Sequence, residues 1–151
     1  MRVVVACVFV LVLASCVPNA PRALPATSPE NLKLAAKNFL SMPTVRIDVQ
    51  TPDGRSETAD VRLPDAIAVR GSGDVGPFKE AIEIAGSLGT RGTPRPAGDG
   101  AVLGYLTKVW VVGDMRVSLS QHDSLPRSIE IGDPVRRTYL FKDYGAAINP
   151  R

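Results

Sequence analysis

The chain has 151 residues, 44% of them apolar and 22% charged, with a formal net charge of +3, which is the size of one modest domain with one core. One histidine and two cysteines cannot build a His or Cys metal cluster, and no basic stripe points to nucleic acid. Asp53, Asp60 and Asp65 lack calcium-loop spacing, and Gly71-Ser72-Gly73-Asp74 lacks the Gly-Lys-Ser/Thr that completes a phosphate loop, so no cofactor is implied.

Met1-Arg2 supplies a positive start, Val3 to Leu13 is almost wholly apolar, and Ala14-Ser15 precede Cys16 with small side chains. These are the parts of an export signal. The apolar run is eleven residues, whereas a helix that crosses a bilayer needs roughly twenty. The run therefore predicts a signal peptide over residues 1–15 and not a retained span.

Leu13-Ala14-Ser15-Cys16 resembles the lipobox of bacterial lipoproteins at every position. The resemblance implies a diacylglyceryl or palmitate-type acyl group on Cys16, which becomes the first mature residue. Cys7 leaves with the signal, so the exported domain has no thiol free to pair and must be stabilised by packing. The implied location is the cell envelope. Val17, rather than aspartate, follows the lipidated cysteine, which under the enterobacterial sorting rule favours an outer membrane facing the periplasm.

Residues 16–29 carry Pro18, Pro21, Pro25 and Pro29 among small polar neighbours and read as an extended tether. The remainder, 30–151, reads as one antiparallel-sheet domain.

Ser28-Pro29-Glu30 is a helix start, and Leu32, Ala35, Ala36, Phe39 and Leu40 recur at helical spacing up to Met42-Pro43. From Thr44 the period falls to two. Val45, Ile47 and Val49 alternate with Arg46, Asp48 and Gln50; Thr51-Pro52-Asp53-Gly54 turns; Ala59, Val61 and Leu63 form a second apolar face. Ala66 to Arg70 is a third short strand. Pro77 to Leu88 returns to helical spacing, with Phe78, Ala81, Ile82 and Ala85 on one side.

The Gly- and Pro-rich stretch Gly89 to Gly100 reads as a mobile loop. Ala101 to Val112 and Met115 to Gln121 then flank Gly113-Asp114 as a hairpin, with Leu103, Tyr105, Val109 and Val111 expected on one face and Leu106, Lys108 and Trp110 on the other. Met115, Val117 and Leu119 alternate cleanly with polar neighbours. Ile129 and Ile131, a Gly132-Asp133-Pro134 turn and Val135 to Lys142 complete a last hairpin before an extended tail. The expected fold class is α+β: a twisted antiparallel sheet of about six or seven strands, a truncated half-barrel, covered by two short helices.

The C-terminal third carries a second resemblance. Val109-Trp110-Val111 before a hairpin, Ser124-Leu125-Pro126-Arg127 opening a strand, and Phe141-Lys142-Asp143-Tyr144-Gly145 with Ile148-Asn149-Pro150 are similar to the closing pattern of the LolA-like superfamily. That superfamily includes lipoprotein carriers and receptors of the Lol system and the LppX and LprG type lipoproteins. The resemblance implies non-covalent binding of lipid or lipoprotein acyl chains on a concave apolar sheet face, without catalysis. The lining residues would be Val45, Ile47, Val61, Leu63, Leu103, Val109, Val111, Met115, Val117, Leu119, Ile129 and Ile131, under Phe39, Leu40, Phe78 and Ile82 of the helices. Taken one at a time, each of them reads first as an ordinary core residue.

Two alternatives stay open at this level. The helices either plug the sheet face, which makes the chain a structural or interaction lipoprotein with a protein partner, or stand off it as a lid over an apolar cavity. His122-Asp123-Ser124 invites a triad only by residue type, because consecutive residues of an extended chain point to opposite sides. They read as a turn, and no enzyme is expected.

Overall fold

Helix α1, Glu30–Ser41, begins where the Ser28 hydroxyl accepts the Glu30 N–H at 3.4 Å and a Glu30–Lys33 ion pair of 3.1 Å braces the first turn. Leu32, Ala35, Ala36 and Phe39 are its buried face. The helix stops at Met42, whose N–H still reaches the Phe39 carbonyl, because Pro43 has no N–H to continue the ladder. The computed structural model describes residues 28–70 and 73–147. The signal, Cys16, nearly all of the tether and the terminal Ile148-Asn149-Pro150 lie outside the described residues.

Strands β1 (Thr44–Gln50), β2 (Ser56–Arg62) and β3 (Ala66–Val69) form an antiparallel meander. Its first turn needs Gly54, whose φ of 83° is open to glycine at no steric cost. Helix α2 (Gly76–Gly86) and a single 3-10 turn at Leu88–Thr90 then carry the chain to the far edge of the sheet. From there β4 (Pro94–Val102), β5 (Tyr105–Val112), β6 (Met115–Ser120), β7 (Pro126–Ile131) and β8 (Arg137–Lys142) return as a second meander. The result is one eight-stranded sheet in the order β3-β2-β1-β8-β7-β6-β5-β4, closed in the middle by antiparallel pairing of β1 with β8.

The α+β class with an open antiparallel sheet and two helices is as expected; the strand count is eight because the Gly89 to Gly100 stretch is mostly strand. Its prolines and glycines read as a loop, yet β4 is an edge strand that needs ladder bonds on one side only. Pro94 and Pro96 are tolerated there, and Gly98, at φ 99°, sits in the register shift between Pro96 and Asp99. The bulge and prolines also blunt this edge against pairing with other chains. A second difference follows: Ala101 to Val112 is not one strand, because Leu103-Gly104 forms a two-residue turn between β4 and β5.

Cross-strand partners share a face of the sheet. Trp110, Val117, Ile129, Tyr139 and Val49 pair in succession and form one buried row across β5, β6, β7, β8 and β1. The helices pack on this row, and the hydrophobic core lies between them and the sheet.

Candidate functional site: the sheet face beneath the helices

Of the candidate lining residues, Phe39, Phe78, Val45, Ile47, Val61, Val117 and Ile129 are 0% exposed. Met115 and Leu119 are buried beside them, and Leu63, Ile82 and Ile131 are half-buried at the margin of the same cluster. A side chain facing a void that admits water keeps accessible area. Phe39 and Phe78 keep none, so where these two rings lie the helices plug the sheet face. Phe39 meets Phe141 and Tyr144 edge-on, with ring centroids 5.8 and 6.5 Å apart.

Four candidates are elsewhere. Leu40 is 54% exposed and lies against Gly86 of α2, not against the sheet, because it falls one position off the buried stripe of α1. Leu103 is in the β4–β5 turn with φ 52° and 45% exposure. Val109 and Val111 pair with Ser118 and Arg116 and therefore point away from the helices. The expected parity of β5 is thus reversed: Trp110 and Val112 face the core.

Tyr139, Phe141, Ile84 and Leu88 also belong to this core and were not among the sequence candidates. Tyr139 brings its hydroxyl under α2. It donates to Glu80 Oε2 at 2.6 Å, and Arg137 Nη1 reaches the same carboxylate oxygen at 2.5 Å. Burial, and then the hydrogen bond to Glu80, pushes the Tyr139 phenol up to about 12. At the other end, Asn38 Nδ2 of α1 donates to the Asp123 carbonyl at 3.1 Å. These polar ties pin each helix to the sheet.

The opposite face carries charge. Asp60 accepts from Arg46 Nε at 2.7 Å and Arg70 Nη2 at 2.8 Å, Arg46 also reaches Asp143 at 2.5 Å, and Asp48 takes Thr58 at 2.8 Å and the Lys142 ammonium. Burial works to raise the Asp60 carboxyl, but the hydrogen bonds from Arg46 and Arg70 outweigh it and hold the group below the usual carboxylate range.

His122-Asp123-Ser124 occupies the β6–β7 turn, as the residue pattern predicts. The Asp123 carboxylate is taken up by Arg127 at 2.5 Å and by the Leu125 N–H at 3.0 Å. Arg127, 3% exposed, lies 3.7 Å from the Tyr105 ring centroid and 5.1 Å from that of Tyr144. Among the described residues no three His, Cys, Asp or Glu side chains group as metal ligands, and no helix is long and apolar enough to cross a membrane.

Two open clefts flank the closed core. One, about 470 Å³, lies between the β1–β2 turn and the start of α2 with Val49, Pro52, Pro77 and Arg137 in its wall. The other, about 520 Å³, is lined by Gly104, Tyr105, Leu106, Ser120, Gln121 and His122 at the β4–β5 tip.

No protein-family model and no curated protein sequence matches the chain. Solved structures do. The Mycobacterium tuberculosis lipoprotein LppX superposes with a TM-score of 0.57 at 13% identity, over 82% of this chain and 97% of that one. LprF from Mycobacterium bovis gives 0.55 at 14% identity, over 84% and 98%. Both of those chains are matched over nearly their whole length. The chain has the fold of LppX and LprF.

Proposed function

We propose that the chain is a cell-envelope lipoprotein, held to a membrane by lipid on Cys16 and a tether over residues 16–29, whose 30–151 domain binds and does not catalyse. The LppX fold, matched over 97% of that chain, together with the resemblance of Leu13-Ala14-Ser15-Cys16 to a lipobox, is what supports this reading. The burial of Phe39 and Phe78 at 0% exposure favours a closed core, so the domain binds through its outer surface as an interaction lipoprotein. Cys16→Ser should leave the protein unprocessed or released from the membrane fraction. Labelled palmitate on that variant would refute the anchor.

A second reading keeps the apolar face as the seat of an acyl chain. It is favoured by the kind of ties that hold the helices, side-chain hydrogen bonds and an ion pair such as Glu80 to Tyr139 and Arg137, and Asn38 to Asp123, which can open without breaking the sheet. A chain entering there must lift the helices and displace Phe39 or Phe78, with about 0.8 kcal/mol returned per buried methylene. Native mass spectrometry of the detergent-extracted lipoprotein decides between them. Stoichiometric co-purified lipid beyond the anchor favours the carrier; an apo mass with no uptake of fluorescent fatty acid leaves the interaction reading.

A further inference from the structure

The described residues show six exposed large hydrophobic side chains, and three of them belong to one hairpin tip, Leu103 in the turn at 45% and Tyr105 and Leu106 on opposite faces just beyond it at 44% and 70% exposure. The turn that displays them is costly in itself. Leu103 and Gly104 both have positive φ, 52° and 81°, in a two-residue hairpin. Such turns favour Asn-Gly, because a branched apolar side chain is disfavoured in the left-handed region. This chain places leucine where both the backbone and the solvent oppose it. The polar walls of the adjoining cleft, Ser120, Gln121 and His122, border the apolar tip.

We propose that the β4–β5 tip inserts into the interface of the bilayer to which Cys16 ties the chain. The occupant follows from the length of chain outside the described structure and where it leads. Cys16 precedes Ser28 by twelve residues, a reach of at most about 40 Å. The tip lies beside the β6–β7 turn that Asn38 contacts, near the C-terminal end of α1. That helix has twelve residues and spans about 18 Å. The tether is therefore long enough to run back past α1 and let the tip meet the surface holding the anchor. Tyr105 suits the headgroup level, where amphipathic rings collect, and its ring stays fixed by Arg127.

The inference rests on the Cys16 anchor for its choice of membrane, and its test separates the two. Full-length protein carrying Leu106→Trp is reconstituted in phosphatidylcholine vesicles with or without brominated acyl chains. The wild type, whose single tryptophan, Trp110, is 0% exposed, serves as the reference. The emission added at position 106 should fall about twofold in brominated vesicles, as for a group at the acyl boundary, and Trp110 emission should hold. Adding Leu103→Asp should abolish that fall while circular dichroism stays native. Acylated, vesicle-bound protein with no quenching at position 106 overturns the tip proposal and leaves the anchor standing. A chain without acyl mass that is still quenched on added vesicles removes the anchor and sustains the tip. Cross-linking of an unquenched tip to an envelope protein overturns the proposal.

Discussion

Phe39 of the first helix stands edge-on to Phe141 of the last strand, centroids 5.8 Å apart and planes at 84°, with both side chains fully buried. This contact ties the two ends of the described chain into one core. Phe39→Ala should destabilise the fold by about 3–5 kcal/mol, the range for a buried aromatic that leaves a cavity. Leu40→Ala, next in sequence but 54% exposed, should change stability by less than about 1 kcal/mol. Urea unfolding of the two variants checks both figures.

The register of β5 against β6, and with it the face of each strand, is testable with two matched substitutions. Val117→Thr buries a hydroxyl in the apolar row and should cost about 1–3 kcal/mol. Val109→Thr faces Ser118 and neighbours Thr107 on the other side of the sheet, where hydroxyl partners are at hand. It should be the milder change. Equal losses in chemical denaturation would contradict the register.

The Tyr139 phenol, raised to about 12 by burial and by Glu80, sets an alkaline limit. A raised folded-state value gives stability that is fully present below the unfolded value of about 10 and is lost as pH rises through the folded value. Melting temperature should therefore fall between about pH 10 and 12. Tyr139→Phe should lessen that fall, at the expense of the Glu80 hydrogen bond at lower pH.

Asp60 sets the acid counterpart. Its carboxyl is depressed, so the stability it contributes is present above the unfolded value of about 3.9 and is lost as pH falls through the lower folded value. Asp60→Asn should cost about 1 kcal/mol at pH 7 by weakening the ion pairs with Arg46, which keeps Asp143, and with Arg70, which keeps solvent. The difference from wild type should shrink on acidification below about pH 4, as followed by circular dichroism.

Several elements were legible in the residues because their period is local. The stripe Leu32, Ala35, Ala36, Phe39 marked α1, and the alternation of Val45, Ile47 and Val49 marked β1 to within its bounds. The face of β5 was misread for one reason: alternation was carried through Leu103 and Gly104, where the chain turns. A signal for the right parity was present. The two-residue turn Gly113-Asp114 pairs Val112 with Met115 and so places Trp110 beside Val117. Strand β4 was hidden because proline and glycine signal loops unless the strand is known to be an edge.

The sequence by itself determined the α+β class and which segments carry an apolar face, since these depend on residue type and short-range spacing. Only the tertiary structure decided what that face does. Whether Phe39 and Phe78 cap a void or fill it depends on how far two helices stand from eight strands, a distance set by packing among residues far apart in the chain. The same packing decided that Leu103, Tyr105 and Leu106, unremarkable in a list of apolar residues, are exposed to solvent at one hairpin tip.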